Sequence, residues 1–265
     1  MPTDMLAALP AWQVGFLASL LVGVAAGLGA LPIFLIRHIG TRIQDVLLGF
    51  AGGIMLAACA FSLFLPAIEI GTAQWGSPMR AALAAAAAAL IGAVVLYLIH
   101  QSIPHEHFVK GRENADHVRI RRLWLFVLAI TLHNFPEGLA VGGGVGAGDP
   151  GQALGLTAGM FLQNLPEGLT VALALLPLGF GPGQAVLIAL ATGGVETIGG
   201  VLGVLLATTA SSALPWSLAG AGGAMLFVIS HEIIPETHRN GHETAATFGL
   251  MAGFVIMMVL DTALA

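Results

Sequence analysis

The sequence predicts an all-α integral membrane protein with eight transmembrane helices. Of its 265 residues, 57% are apolar and only 9% are charged, against about 25% charged residues in soluble domains. So few charged side chains cannot cover a water-soluble protein of this size. The apolar residues also fall into long uninterrupted segments, which is the pattern of membrane-spanning helices. A soluble enzyme is therefore excluded.

Each span needs about 20 mostly apolar residues, because a helix rises about 1.5 Å per residue across a hydrocarbon core of about 30 Å. Eight segments meet this requirement, and most connections between them are short. We predict the spans at Trp12–Leu35, Val46–Ile68, Ala81–Ile99, Leu123–Gly144, Gln152–Leu175, Gln184–Thr208, Pro215–Ile234 and Thr247–Ala263.

The whole chain, 1–265, is expected to form a single transmembrane domain. Its predicted parts follow in order: spans one to three in about 12–99, a His-bearing cytoplasmic loop in 100–122, spans four and five in 123–175, and spans six to eight in 184–263.

The basic residues predict the orientation of the chain. Short cytoplasmic loops collect Lys and Arg, and eight of the nine basic residues lie in the connections after spans one, three and seven. Only Arg80 lies on the other side. This places both termini outside and the 100–122 loop in the cytoplasm. The net charge of -5 and the scattered basic residues argue against nucleic acid as a partner.

Small residues four apart recur along the spans and predict close helix packing. We interpret them as contacts inside the bundle in preference to a dedicated dimer motif, although a homodimer is left open. The pairs are Gly23 with Gly27, Gly49 with Gly53, Gly199 with Gly203, and Gly249 with Gly253.

A polar motif occurs twice in the middle of spans. Span four contains HNFPEG at 133–138, and span five contains QNLPEG at 163–168. Ionised groups at mid-bilayer depth cost about 2.5–3.5 kcal/mol each on insertion scales, so such residues are functional candidates by default. Residues four apart share a helix face, which pairs His133 with Glu137 and Gln163 with Glu167. The proline in each motif kinks the helix and frees a backbone carbonyl.

Glu196 in span six lies at a similar predicted depth to Glu137 and Glu167. Three carboxylates that converge in a medium of low dielectric constant repel one another unless a cation lies between them. The imidazole, carboxylate and amide donors suit zinc, with iron, manganese or cadmium as further substrates, whereas copper(I) would require thiolates. The candidate metal ligands are His133, Asn134, Glu137, Gln163, Asn164, Glu167 and Glu196.

Other polar residues lie outside this cluster. His231 and Glu232 in span seven either form a metal exit path or belong to a solvated helix end. Asp261 near the outer end of span eight is either an entrance carboxylate or an interfacial residue. His105 and His107 in the cytoplasmic loop either bind metal or belong to a merely hydrophilic connector.

The paired motifs resemble the signature of the ZIP (Zrt/Irt-like) divalent metal transporters, in their bacterial branch. The resemblance implies a 3+2+3 arrangement in which spans one to three and six to eight are inverted repeats around spans four and five. It further implies a two-metal centre and import of zinc across a bacterial inner membrane. By position, the first site would comprise His133, Glu137, Gln163 and Glu167; the second would comprise Asn134, Asn164, Glu167 and Glu196.

This chain has Asn164 where some bacterial relatives have aspartate, so the second site is expected to bind its cation less tightly or only as a modulator. Two alternative functions are left open. A membrane-embedded metal-dependent hydrolase would need a motif such as H-E-x-x-H, but Pro235 stands where the second histidine should follow His231 and Glu232. No motif distinguishes a metal-selective channel from a carrier: saturable, slow flux would indicate a carrier, and conductance too fast for a domain motion would indicate a channel.

Overall fold

The computed structural model of the chain describes residues 9–36, 39–102, 131, 134–148, 150–176 and 179–264. Throughout these ranges the regular secondary structure is helical and forms eight helices. They are α1 Ala11–Ala30 with a 3-10 turn at Leu31–Phe34, α2 Thr41–Trp75, α3 Pro78–Ser102, α4 134–147, α5 Pro150–Leu175, α6 Pro182–Thr209, α7 Ser211–Thr237 and α8 Glu243–Leu264.

The predicted all-α membrane fold is confirmed. Within the described ranges, six of the helices are long and apolar enough to cross a membrane, namely α1, α2, α3, α6, α7 and α8. The central part of α5 is less apolar because it carries Gln163, Asn164 and Glu167. The described part of α4 is short, since the beginning of predicted span four lies outside the described residues.

The second helix is longer than the sequence predicted. We expected Val46–Ile68, whereas α2 covers 35 residues, Thr41–Trp75. Polar residues at both ends, which we interpreted as connections, continue the helix until Gly76. Gly76 adopts a left-handed conformation with φ 67° and ends the helix, as glycine does at many helix C-termini.

Extensive packing joins α1 with α6, α2 with α8, and α3 with α7. A two-fold rotation that exchanges α1–α3 with α6–α8 maps the first pair onto itself and exchanges the other two. The same relationship appears within the helices, because α2 and α7 each contain a π-helical segment, Ala58–Phe64 and Ile229–Ile233, followed by a proline. α5 packs against α1, α2, α6 and α8. This is the arrangement that inverted three-helix repeats around a central pair require.

Glycines allow the closest helix approaches, as the small-residue pairs predicted. A Cβ atom at Gly53 would collide with the carbonyl group of Leu250, and one at Gly253 with the carbonyl group of Phe50. Gly49 and Gly249 make the same kind of contact between α2 and α8, and Gly199 and Gly203 between α6 and α4. The prediction that these glycines pack inside the bundle is confirmed.

Candidate metal site

The repeated motifs place polar side chains in the interior of the bundle. Asn134 and Glu137 lie on α4, Gln163, Asn164 and Glu167 on α5, and Glu196 on α6. Glu167 is 7% exposed and the other five are at most 1% exposed. None of the six side chains faces lipid, so the sequence correctly placed them inside the protein.

The glycine that follows each motif glutamate brings its helix close to a neighbour. Gly138 on α4 lies against the main-chain carbonyl of Glu196 on α6, and Gly168 on α5 lies against the carbonyl of Ala26 on α1. A side chain at either position would push the helices apart. The final residue of each motif therefore serves helix packing, whereas the glutamate one position earlier carries the chemistry.

Gln163 connects two of the carboxylates. Its side-chain nitrogen Nε2 donates a hydrogen bond of 2.6 Å to Oε2 of Glu167, one turn later on α5. The same nitrogen lies 3.3 Å from Oε1 of Glu137 on α4. The prediction that Gln163 and Glu167 share a helix face is confirmed. The side-chain amide of Gln163 also links α5 to α4.

Asn164 connects three helices. Its nitrogen Nδ2 donates one hydrogen bond of 2.6 Å to Oε1 of Glu196 on α6 and another of 2.9 Å to the carbonyl oxygen of Val22 on α1. The contribution of α1 was not predicted, because a main-chain carbonyl leaves no signal in the sequence.

The carboxyl groups of Glu137 and Glu196 lie close enough to interact, and the buried oxygen Oε2 of each has no hydrogen-bond donor among the described residues. Two carboxyl groups at this distance need a shared proton or a cation, because two ionised groups would repel each other. Three buried amide oxygens nearby, those of Asn134, Gln163 and Asn164, have no hydrogen-bond partner among the described residues. Buried acceptors are usually satisfied, so this oxygen-rich interior fits a divalent cation.

The carboxylates do not converge on one point as tightly as the sequence suggested. In the described ranges, no group of three His, Cys, Asp or Glu side chains is arranged to hold an ion without rearrangement. The amides of Gln163 and Asn164 separate the carboxylates because each donates hydrogen bonds to them. His133, the predicted imidazole ligand, lies outside the described residues, and its role stays a prediction.

The remaining candidates lie elsewhere in the bundle. Asp261 is 9% exposed and accepts a hydrogen bond of 2.6 Å from Oγ of Ser62 on α2. It is therefore buried between helices, and its role, as an entrance carboxylate or as an interfacial residue, stays a prediction. The ring of His231 is exposed and stacks on Phe227 with a centroid distance of 4.9 Å. Glu232 follows it in the π-helical segment of α7, about one turn before that helix ends.

The role of His231 and Glu232 in an exit path stays a prediction. His105 and His107 lie outside the described residues.

Sequence reasoning missed a polar cluster at the start of α2. Asp45 is 3% exposed and accepts hydrogen bonds of 2.9 Å from Nδ2 of Asn240 and from Nδ1 of His242. The signal was a charged residue directly before the apolar run that begins at Val46. Its partners lie almost 200 residues away in the chain, so periodicity could not identify them.

Comparison with known proteins decides the family. Residues 100–261 match the family model described as ZIP Zinc transporter. The chain is also 48% identical over 250 residues to the zinc transporter GufA of Myxococcus xanthus, a match that covers 94% of this chain and 98% of that protein. The chain belongs to the ZIP family.

Two further ZIP relatives show the breadth of the similarity. The zinc transporter ZIPB of Bordetella bronchiseptica is 49% identical over 240 residues, covering 91% of this chain and 78% of the relative. The human zinc transporter ZIP11 is 31% identical over 317 residues, covering 89% of this chain and 93% of the relative. Membership in this family makes the chain a multi-pass membrane protein for metal transport, not the hydrolase left open by the sequence.

Proposed function

We propose that the protein carries zinc into the cytoplasm through the buried cluster formed by α4, α5 and α6. The observation that supports this most directly is the hydrogen-bonded connection of Glu137, Gln163 and Glu167 inside the bundle. Ionisable groups in a membrane interior are costly and rare, and they mark pathways for ions or protons. A pathway for a divalent cation is the function that uses all of the buried carboxylates and amides of this cluster.

In this proposal, His133, Glu137, Gln163 and Glu167 bind the transported ion. Binding requires Gln163 to release Glu167 and to present its oxygen Oε1, the atom without a partner among the described residues. Asn134, Asn164 and Glu196, together with Glu167, surround a second position beside the first, which the sequence resemblance assigns to a further metal.

The proposed substrate follows from the donor set and from the relatives. Nitrogen and oxygen donors suit borderline divalent ions, and zinc accepts both. The similar proteins above are named zinc transporters. Cadmium, iron and manganese are proposed as further substrates of the same site.

The proposed location is the bacterial inner membrane with both termini outside, as the distribution of Lys and Arg predicts. In this orientation, the metal ion enters past Asp261 and leaves past His231 and Glu232. A homodimer stays a prediction, which cross-linking in native membranes would test.

The experiment is zinc uptake by the purified protein in liposomes that contain a fluorescent zinc indicator. We expect saturable uptake, and a loss of at least about tenfold on Glu167→Gln, since the substitution keeps the shape of the side chain and removes its charge. Glu243→Gln is the matched control, because Glu243 is an exposed glutamate in the first turn of α8. Uptake by Glu167→Gln at the rate of the control would contradict the proposal.

The same assay distinguishes a carrier from a channel. Flux that saturates with zinc concentration at a slow rate identifies a carrier, because a carrier must change conformation for each ion. Flux too fast for a domain motion identifies a channel.

A further inference from the structure

The amide of Asn164 lies where the resemblance places a second metal ion, and its orientation is fixed by its neighbours. Both N–H groups are used, one by Oε1 of Glu196 at 2.6 Å and one by the carbonyl oxygen of Val22 at 2.9 Å. A primary amide has two N–H donors, so Nδ2 of Asn164 has no further N–H group to donate. A main-chain carbonyl can only accept, so the amide nitrogen must face Val22.

This orientation turns the only metal-binding atom of Asn164 away from these partners. An amide binds a cation through its oxygen, because the nitrogen has no free lone pair. Rotating the amide by half a turn would direct Oδ1 toward Glu196 and Val22, and would place an oxygen against an oxygen at both. The cost is two buried hydrogen bonds, each exchanged for a repulsive contact.

A second ion would also find little negative charge. Glu196 already accepts a hydrogen bond from Asn164 and lies against Glu137. Glu167 is shared with the first site, where Gln163 contacts it. The remaining ligands at the second position, Asn134 and Asn164, are neutral. The second position therefore has only Glu196 and the shared Glu167 to offset the dehydration of a second divalent ion.

We infer that the Asn164 amide takes the place of a second metal ion, so that the cluster binds one divalent cation per chain. The inference rests on the proposed function, since it assumes that the first site at Glu137, Gln163 and Glu167 binds the transported metal. Asn164 acts as a positioning residue in this arrangement: its hydrogen bonds tie α1 and α6 to α5 at the height of the site.

An aspartate at the same position would behave differently. Its carboxylate would place oxygens toward Glu196 and toward the carbonyl of Val22, and this repulsion would be relieved by a cation. The difference between asparagine and aspartate is thus a difference in the number of metals bound, with nearly unchanged side-chain shape.

The test is the zinc content of the full chain after desalting, measured by mass spectrometry with His105 and His107 replaced by Ala to remove loop binding. We expect one zinc in the otherwise native chain, and one also in Glu196→Gln. Asn164→Asp should bind two, and the double variant Asn164→Asp with Glu196→Gln should return to one. Two zinc ions in the native chain, of which one is lost on Glu196→Gln, would overturn the inference.

A further variant separates this inference from the proposed function. Glu167→Gln should reduce the zinc content of the native chain to zero. If one zinc is bound regardless of Glu167, the proposed site is wrong even though the count is one. Thermal unfolding in chelator should show a lower midpoint for Asn164→Asp than for the native chain, and added cadmium should restore it, which proves that the variant is folded and that the carboxylate is what repels.

Discussion

Ser62 on α2 and Asp261 on α8 form a 2.6 Å hydrogen bond inside the bundle, although 199 residues separate them. Ser62 is 1% exposed and Asp261 is 9% exposed. Removing the hydroxyl leaves the carboxyl group buried without this donor, at a cost of about 1–3 kcal/mol. We therefore expect Ser62→Ala to lower the free energy of unfolding by that amount, measured by denaturation in mixed micelles.

The double variant Ser62→Ala with Asp261→Ala should be destabilised by less than the sum of the two single variants, because neither side chain is then left without its partner. Strict additivity would contradict this coupling. Uptake measurements add a second readout: if Asp261 also admits the metal, Asp261→Asn slows uptake whereas Ser62→Ala does not.

His242 is expected to stabilise the start of α2 through Asp45. The two side chains are 2.9 Å apart, and the Asp45 side chain is only 5% exposed. His242→Ala leaves this buried carboxylate with Asn240 as its remaining described partner, so we predict a loss of about 1–3 kcal/mol in unfolding free energy. The control is Glu243→Ala at the next position, which is exposed and should change stability by less than about 0.5 kcal/mol. Equal effects of the two variants would show that the contact is unimportant.

The crossing of α2 and α8 should not tolerate larger side chains. A Cβ atom at Gly53 would collide with main-chain atoms of Leu250 and Phe254, whereas one at Gly194 on α6 would meet nothing within 4 Å. We expect Gly53→Ala to reduce the yield of folded protein severalfold in size-exclusion chromatography. Gly194→Ala should match or slightly exceed the native yield, since alanine is the better helix former by about 1 kcal/mol. Similar yields for the two variants would contradict the packing described.

Removing the amide of Gln163 should make the folded state dependent on metal. Gln163→Leu deletes the donor that lies 2.6 Å from Glu167 and 3.3 Å from Glu137. The carboxylates then face each other without a donor, so the midpoint of thermal unfolding in chelator should fall by several degrees. Cadmium should recover part of the loss through the remaining ligands. A variant that unfolds like the native chain in chelator would show that Gln163 does not separate the carboxylates.

The cytoplasmic loop histidines should not be essential. Replacing His105 and His107 by Ala together is expected to leave zinc uptake mostly intact, because the mid-membrane ligands perform the transport step. Zinc uptake by Glu167→Gln, measured under the same conditions, gives the rate expected when the mid-membrane site is disabled. A loss comparable to that of Glu167→Gln would assign the loop a direct part in transport.

Part of the cluster was predictable because its members are related by helix periodicity. Gln163 and Glu167 are four residues apart and share a face, and the repeated motif assigns Asn134 and Asn164 equivalent positions. Glu196 followed from its depth in the span. These inferences needed only the 1.5 Å rise and the periodicity of the helix.

Other contacts depend on tertiary packing and could not be predicted. The carbonyl of Val22 has no side-chain signal, and Asp45 meets His242 only because α2 and α8 pack along their length. The sequence also suggested that carboxylates gather directly around a cation. The structure instead inserts the amides of Gln163 and Asn164 between them, which composition and spacing did not indicate.

The length of α2 makes the protein responsive to the thickness of its bilayer. At about 1.5 Å per residue, its 35 residues extend over roughly 50 Å, well beyond a hydrocarbon core of about 30 Å. The helix must tilt or emerge from the lipid, and a change in acyl-chain length alters how far it does so. Since the glycine contacts hold α8 against it, both helices must tilt together. Vesicles of short-chain and long-chain lipids should therefore yield different uptake rates from an identical protein and identical zinc.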